Sequence, residues 1–451
     1  MKGRIGSGFG VKAAAMLAVM ALLSSCSGKQ DQPVVKPAEE QAPKKLKVAY
    51  FNQQEFNLVY GNALKKLLPD YQFEVIPSVK IENQFSVPVD PDELMKQKPD
   101  LIFGLTLVQQ LSKSGKVMEL SPLLKQDNYD LNQLTSAAVE QSRAIGGGRL
   151  TNLSPTFNAT GLYYNKIMFD RLGIPYPTNR MTWPSLLELA KKAARTENGK
   201  PFYGIYTNYL PYSVVQSYAK GVGAEYLSAD KRKVMYASDA YVSAISAGVD
   251  AFHSNAVYLP PEKQVPAANK KELLLQNKFI AGEAAMSIYN TGLIEMMNDA
   301  VVQGIAPMKW DVVTGPVKAD KPNESLFALV VNDPVAIAMD SPNKTAAWTF
   351  VKTLMGREMA LELDKLKSRK LSTRGDSVLM VDGRKLDAFY MLGSTLDPES
   401  AWPQLLSQKV IEMTREELLN VIYDRKRAAD GLAALEKRVQ QAIDDEFAAK
   451  K

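Results

Sequence analysis

The stretch that decides the fold is residues 46–76, LKVAYFNQQEFNLVYGNALKKLLPDYQFEVI. Apolar and polar residues alternate from Leu46 to Phe51, which is the spacing of a half-buried β-strand. Leucines then recur with helical spacing up to Leu68, and Phe73 to Ile76 have the composition of a second strand. A strand, a helix and a strand within about thirty residues form a βαβ unit, so we expect the two strands to be parallel and joined by a right-handed crossover.

The alternation of strands and helices continues outward from this unit. A third strand is predicted at 100–103, after a helix with Asp90 as its N-cap and Pro91 in its first turn. The acidic residues around Asp90 fit a helix start better than a metal site, and no metal is expected. Further strands are predicted at 161–164, 285–288, 310–313 and 325–331, and further helices from Thr182 and at 345–363, 415–427 and 430–447. The pattern is α/β throughout.

Length and composition favour a two-domain soluble body. The chain has 451 residues, of which 46% are hydrophobic and 23% charged, as in ordinary globular proteins. The net charge is +6, but the first 25 residues hold Lys2, Arg4 and Lys12 and no acid. The positive charge that remains beyond residue 25 is too small to indicate nucleic-acid binding, and it forms no basic stripe interleaved with aromatic residues.

The first 45 residues have the pattern of an export signal and a tether. Positive residues up to Lys12 precede an apolar run from Ala13 to Leu23, which is too short for a resident membrane helix, so 1–25 is predicted to be a signal peptide. Leu23-Ser24-Ser25-Cys26 resembles the bacterial lipobox, whose cysteine is lipidated; the alternative is an ordinary signal peptide with a chance cysteine. Residues 26–45 are polar and proline-rich and are predicted to form a flexible tether.

Several kinds of catalytic site find no support in the sequence. The chain has one histidine, His253, and one cysteine, and it contains no nucleophile elbow of the GxSxG kind. The glycines at 146–148 lack the sequel of a phosphate-binding loop and are predicted to form a tight turn between strands. No cofactor is expected, and the chain is not expected to be an enzyme.

Three phrases in order along the chain carry a resemblance to a known family. They are GLYYNKIMF at 161–169, FIAGEAAM at 279–286 and DSPNKTAAWTFVK at 340–352. Together they resemble the family 1 extracellular solute-binding proteins, which include maltose- and other sugar-binding proteins. Asn165 in the first phrase and Ser341-Pro342 in the third are expected to cap and start helices, so these phrases identify the fold better than the ligand.

The resemblance implies a two-lobe, type II periplasmic-binding-protein-like α/β fold. The first lobe is expected to comprise 46–156 plus 312–368, and the second 157–311 plus 369–451. A small solute, favoured as a sugar or oligosaccharide, would lie between the lobes and be presented to an ABC permease. The protein is expected to be a monomer, exported and held by its lipid at the outer face of the cell membrane or at a periplasm-facing membrane.

The resemblance also places candidate solute-binding side chains beyond the strand ends of both lobes. Asn158 is expected to act as a bidentate amide and Phe157 as a stacking surface. Many relatives have a stacking tryptophan shortly after residue 288; Tyr289 or Asn290 would replace it here, with Trp402 compensating. The full set is Gln53, Glu55, Thr106, Phe157, Asn158, Tyr209, Tyr212, Tyr289, Asn290 and Trp402.

Two other functions remain open at this point. A lipoprotein of the same fold can deliver its solute or its closed shape to a sensor kinase or a surface complex. A hydrolase or lyase that uses only Asp or Glu side chains is the third hypothesis, and Glu55 is its first candidate.

Overall fold

The structure is a computed structural model that describes residues 44–82, 85–228, 230, 232–263, 265–327, 329–366, 370–377, 380–381, 383–394 and 404–448. The predicted signal peptide, Cys26, Trp402 and the predicted tether up to residue 43 lie outside the described residues. No helix among the described residues is long and apolar enough to cross a membrane.

The strands are short and distributed along the whole described chain. In chain order they are β1 Lys44–Tyr50, β2 Tyr71–Pro77, β3 Val79–Glu82, β4 Phe85–Pro88, β5 Leu101–Phe103, β6 Thr156–Asn158, β7 Thr160–Asn165, β8 Arg195–Glu197, β9 Lys200–Thr207, β10 Ala284–Asn290, β11 Trp310–Thr314, β12 Val317–Lys318, β13 Lys321–Ser325, β14 Val330–Val331, β15 Val335–Ile337, β16 Leu371–Ser372, β17 Met380–Val381, β18 Arg384–Lys385 and β19 Gly393–Ser394.

The helices separate these strands, and the two longest close the described chain. They are α1 Gln53–Phe56, α2 Asn62–Leu67, α3 Pro91–Lys96, α4 Leu105–Lys113, α5 Ser121–Gln126, α6 Ser136–Ile145, α7 Lys166–Leu172, α8 Trp183–Ala193, α9 Pro211–Gly221, α10 Asp239–His253, α11 Lys270–Gln276, α12 Gly292–Val302, α13 Lys344–Leu354, α14 Arg357–Lys365, α15 Gln404–Ile422 and α16 Ala428–Ala448. A π-helical turn, Asn57–Gly61, joins α1 to α2, and 3₁₀ turns cover Leu131–Gln133 and Asp387–Phe389.

Two mixed sheets form the framework of the two lobes. The first has the order β15-β5-β1-β2, in which β1 is parallel to both β2 and β5. The predicted βαβ unit is therefore confirmed. The second sheet has the order β11-β7-β10-β9-β8, and only β9 and β10 are parallel within it. The α/β fold class is confirmed.

A third, small sheet lies where the chain passes between the two large ones. Its order is β14-β6-β16, and both pairings are antiparallel. β6 runs directly into β7 of the second sheet, β14 precedes β15 of the first sheet, and β16 follows α14. These three crossing strands are hydrogen-bonded to one another, so all three passages of the chain meet at one place.

Three apolar clusters hold the framework together. One covers the face of the second sheet against α8, α9, α10, α15 and α16. Another packs on the first sheet with α2 and α13. The remaining cluster includes residues of both sheets and of the crossing strands, with Phe157, Val331 and Leu371 among its buried members. Burial of apolar surface therefore continues through the crossing region.

Several predicted elements differ from the structure. The strand predicted at 325–331 is wrong: β13 ends at Ser325, whose Oγ accepts a hydrogen bond from the backbone N–H of Phe327, and only β14 follows. The helix predicted at 345–363 is two helices, because the backbone of Gly356 is extended between α13 and α14. The helix predicted at 415–427 begins earlier, at Gln404, and ends at Ile422.

Three predicted boundaries also need adjustment. β1 begins at Lys44, so the last residues assigned to the tether belong to the first strand. The glycine turn at 146–148 follows α6 and does not join two strands. The predicted return to the first lobe at 312 falls inside β11, which pairs with β7. The lobe division as a whole stays a prediction.

Candidate functional site

The carboxyl ends of β1 and β5 form one edge of the first sheet. Ala49 lies opposite Ile102 in parallel register, so the segments that follow the two strands are neighbours. After β1, the side-chain Oδ1 of Asn52 accepts a hydrogen bond of 2.8 Å from the N–H of Glu55 and so starts α1. Gln53 and Glu55 are exposed in that first turn. Open sheets of this kind bind ligands beyond such strand ends.

The segment after β5 completes this edge. Gly104 adopts a φ of 106°, a conformation that glycine tolerates, and the chain turns directly into α4. Thr106 is exposed in the first turn of α4, and Leu105 beside it is exposed as well. The structure therefore brings Gln53, Glu55 and Thr106 to the same edge. We call residues 51–55 and 104–106 the first edge.

The carboxyl ends of β9 and β10 form the matching edge of the second sheet. Ile288 lies opposite Thr207 in parallel register. After β9, the hydroxyl of Tyr209 lies 2.7 Å from the hydroxyl of Thr160, and its ring stacks on Phe327 at 4.8 Å between centroids. Tyr212 follows in the first turn of α9 and is half-buried.

The end of β10 contributes two more predicted residues to this edge. The Tyr289 hydroxyl donates a hydrogen bond to Sδ of Met296 at 3.3 Å. The side-chain oxygen of Asn290 accepts a hydrogen bond from the N–H of Gly292 at 2.9 Å, at the start of α12. We call residues 208–212 and 289–292 the second edge. Tyr209, Tyr212, Tyr289 and Asn290 all belong to it.

Asn158 connects the second edge to the crossing strands. Its Nδ2 donates to Oδ1 of Asn332 at 3.0 Å, and its Oδ1 accepts a hydrogen bond from the hydroxyl of Thr291 at 2.7 Å. Asn332 directly follows β14, so the amide of Asn158 joins two passages of the chain and the end of β10. This residue lies at the site, but both ends of its amide already have protein partners.

Phe157 has a different position from the predicted one. It is fully buried in the crossing sheet, and its ring packs edge-to-face against Tyr390 at 5.2 Å between centroids. Successive side chains of a strand point to opposite faces, so Phe157 points into the core and Asn158 points out of it. No face of the ring is open for stacking on a solute. Trp402 lies outside the described residues.

A charged group beside the crossing strands was missed by sequence reasoning. The carboxylate of Asp333 accepts a hydrogen bond from the hydroxyl of Tyr60 at 2.6 Å and pairs with Nζ of Lys370 at 2.7 Å. Tyr60 lies in the π-helical turn of the first lobe, and Lys370 directly precedes β16. No motif signals this cluster, because its members are distant in sequence.

Burial keeps the phenols of the site protonated. Burial, with smaller contributions from Asp333 and Glu55, raises the pKa of Tyr50 far above its usual range. Burial and Asp333 do the same for the pKa of Tyr60. Burial also raises the pKa of Tyr209. These phenols are neutral hydrogen-bonding groups at physiological pH, and among the described residues no cluster of three or more His, Cys, Asp or Glu side chains fits a metal ion.

Comparisons with solved structures give the same architecture. An extracellular solute-binding protein of family 1 from Alicyclobacillus acidocaldarius aligns with a TM-score of 0.65 at 13% identity, over 89% of this chain and 99% of that chain. A sugar transporter from Rhizobium etli in an open conformation aligns with a TM-score of 0.64 at 18% identity, over 88% of this chain and 99% of that chain. An ABC substrate-binding protein from Listeria monocytogenes in complex with cycloalternan aligns with a TM-score of 0.59 at 18% identity, over 89% of this chain and 99% of that chain. At such identities the likeness shows the two-lobe fold.

Comparison of sequences identifies the family. No curated protein matches the chain. The sequence profile of the family described as bacterial extracellular solute-binding protein matches residues 63–360, well over half of the chain. That match covers most of both sheets and all of the crossing strands β6 and β14. The chain belongs to the bacterial extracellular solute-binding protein family.

Proposed function

We propose that this protein captures a carbohydrate, a sugar or a short oligosaccharide, between the first and second edges and presents it to an ABC permease. The observation that carries the proposal is that both edges adjoin the crossing region. The N–H of Gly104 donates to the carbonyl of Pro334 at 3.1 Å, and the hydroxyl of Thr291 donates to Asn158 of β6 at 2.7 Å. The two edges hold aromatic, amide and hydroxyl side chains. Such clefts fix a solute with a few polar groups and an apolar lining. Family membership supports binding without chemical change.

The structural relatives support a carbohydrate as the solute. They include the Rhizobium etli sugar transporter, the Listeria monocytogenes protein in complex with cycloalternan and a solute-binding protein from Thermotoga lettingae bound with α-D-tagatose. The crossing strands are only two or three residues long, so small backbone changes there suffice to move one lobe against the other. Binding would favour the closed arrangement by its higher affinity for it, and one monomer would hold one solute.

A thermal-shift screen of the purified protein against sugars, oligosaccharides, polyols, amino acids and small peptides tests the proposal. A ligand at a hundred times its dissociation constant stabilises the protein by about 2.7 kcal/mol, which raises the melting temperature by a few degrees. Tyr209→Ala should weaken binding of the hit about tenfold or more, because it removes an aromatic ring from the second edge.

Tyr176→Ala is the matched control, since Tyr176 is an exposed tyrosine of the same lobe that lies outside both edges. Mass spectrometry of the recovered ligand distinguishes capture from catalysis. A hit among amino acids or peptides alone would contradict a carbohydrate solute, and a cleaved product would favour the hydrolase or lyase hypothesis.

The lipid anchor on Cys26 is the second part of the proposal. It would hold the protein beside the permease at the outer face of the membrane. Cys26→Ala should release the protein from the membrane fraction or block its maturation, and the native protein should carry the mass of a diacylglyceryl group on its N-terminal cysteine. Unchanged membrane association with a free thiol would contradict the anchor.

A further inference from the structure

The polar groups at the two edges are largely bonded within the protein. The amide of Asn158 has both its partners, the Tyr209 hydroxyl lies against Thr160, and the Tyr289 hydroxyl donates to Met296. The Asn290 oxygen and the Gln53 amide also have protein partners, at 2.9 and 3.1 Å. A solute that bound these groups would have to replace existing hydrogen bonds, which yields little net free energy.

Large apolar side chains, in contrast, are left exposed at the same places. Phe51 directly follows β1 and is 39% exposed, and Leu105 begins α4 directly after Gly104 and is 38% exposed. β1 and β5 are neighbouring parallel strands, so both residues follow strand ends at the first edge. Leu210 on the second edge is 51% exposed, and Val330 in β14 is 41% exposed. Each of these side chains offers apolar surface, and its removal from water by a bound ligand is favourable.

The charges at the edges and crossing strands exclude one class of solute. Within 51–55, 104–106, 208–212, 289–292, 156–158, 330–333 and 370–372 the charged residues are Glu55, Asp333 and Lys370. The ammonium of Lys370 is already paired with Asp333 at 2.7 Å. Glu55 is exposed and adds a negative charge. An anionic sugar would therefore find no free cation in these segments and would be repelled by Glu55.

We propose that the solute is a glycoside without negative charge whose aglycone is apolar, and that Phe51 and Leu105 contact that aglycone. The proposal rests on the carbohydrate-binding function proposed above and specifies its substrate class. The sugar part would bind the remaining polar groups, and the aglycone, an aryl or alkyl group, would cover the apolar pair of the first edge. These two residues are then the specificity-determining positions of the site.

Isothermal titration calorimetry with matched glycosides tests this proposal. The probes are the methyl and phenyl glycosides of glucose, galactose, mannose and maltose, with phenyl glucuronide as the anionic counterpart, and the purified protein is kept free of glycoside detergents. For the sugar that binds, the phenyl glycoside should bind about tenfold or more tightly than the methyl glycoside, with a more negative heat-capacity change. The glucuronide should bind far more weakly than its neutral partner.

Variants assign the preference to its residues. Phe51→Ala and Leu105→Ala should each reduce the affinity for the phenyl glycoside at least several-fold more than the affinity for the methyl glycoside, so the ratio of the two affinities should fall. Leu58→Ala is the matched control, because Leu58 is equally apolar and 59% exposed but lies in the π-helical turn beyond the first edge. It should change neither affinity.

Three outcomes overturn the proposal. Equal affinities for methyl and phenyl glycosides would refute the apolar aglycone and leave carbohydrate binding intact. An equal loss of affinity for both ligands in Phe51→Ala would show that Phe51 does not contact the aglycone. Failure of every sugar and glycoside to bind would remove the proposed function together with this inference.

Discussion

Asp333 connects two parts of the chain that are distant in sequence. It lies between β14 and β15, and its carboxylate joins the Tyr60 hydroxyl of the first lobe to the Lys370 ammonium before β16. Tyr60 is completely buried, and its ring stacks on Phe103 at 5.6 Å between centroids. The hydroxyl therefore has little access to water, and Asp333 is the acceptor that it has in the structure.

Removing this acceptor should be costly. In Asp333→Ala the buried Tyr60 hydroxyl loses its acceptor and the Lys370 ammonium loses its ion-pair partner. An unsatisfied buried donor costs about 1–3 kcal/mol. We expect the free energy of unfolding in urea to fall by about 2 kcal/mol or more, with an unchanged m-value. Adding Tyr60→Phe to this variant should recover part of the loss, because the unsatisfied donor is then gone.

Glu362→Ala provides the control for the Asp333 series. Glu362 also pairs with lysines, Lys66 and Lys365, but on the surface of α14, where ion pairs contribute little. Glu362→Ala should have nearly the same free energy of unfolding as the unchanged protein. If Asp333→Ala has the same free energy of unfolding as this control, the hydrogen bonds of Asp333 with Tyr60 and Lys370 do not stabilise the crossing region.

Residues whose partners are local were predictable from the sequence, and those with distant partners were not. Asp90 accepts hydrogen bonds from the N–H groups of Asp92 and Glu93, and Asn165 accepts one from Met168, as predicted for helix caps. Ser341 was expected to cap α13. Its hydroxyl instead donates to the buried carboxylate of Asp100 at 2.6 Å and accepts from the N–H of Asn343.

The same distinction applies to the candidate site. The family resemblance implied Gln53, Thr106 and Tyr209 as residues beyond strand ends, and the structure has all three in segments that follow β1, β5 and β9. The partners of the Asn158 amide, Asn332 and Thr291, come from distant parts of the chain. A single sequence holds no periodicity that reveals them, and neither does it reveal that Phe157 turns inward.

At the scale of elements, α8 and β9 show how closely a helix can lie on a strand. Gly204 of β9 faces Ala190 of α8, and a β-carbon on Gly204 would lie 2.4 Å from the Ala190 carbonyl oxygen. The obstacle is backbone, which cannot move like the end of a flexible side chain. Glycine at 204 therefore sets the distance between the helix and the sheet.

Gly204→Ala should separate these two elements. We expect a loss of about 1–3 kcal/mol in the free energy of unfolding, as for other insertions into a well-packed core. Gly375→Ala is the matched control, because the nearest heavy atom to its added β-carbon would be 4.0 Å away. Circular dichroism with urea unfolding compares the two variants. A Gly204→Ala protein as stable as the control would show that α8 shifts without cost.

Elements were predicted best where their period was long and regular, and worst at their ends. The parallel strands β1 and β2 followed from alternation and spacing. The helix at 345–363 was predicted as continuous, but the extended backbone of Gly356 divides it into α13 and α14. The crossing strands β6 and β16 are too short for any periodicity, and no strand was predicted at either.

At the scale of the whole molecule, the three crossings make each lobe discontinuous in sequence. The first sheet is built from β1, β2 and β5 near the start of the described chain and from β15, which comes after the entire second sheet. The helices α15 and α16 then return to pack with α9 and α10 of the second lobe. Neither sheet and its helices come from one uninterrupted segment.

This arrangement has a consequence for biosynthesis. The strand pair of β5 at Leu101–Phe103 and β15 at Val335–Ile337 spans about half of the chain, so the first sheet stays open at one edge until most of the protein has been made. Contacts between such distant segments form slowly, because a long loop must close first. Completion of the first sheet is therefore a late event in the folding of the chain, although three of its four strands are made first.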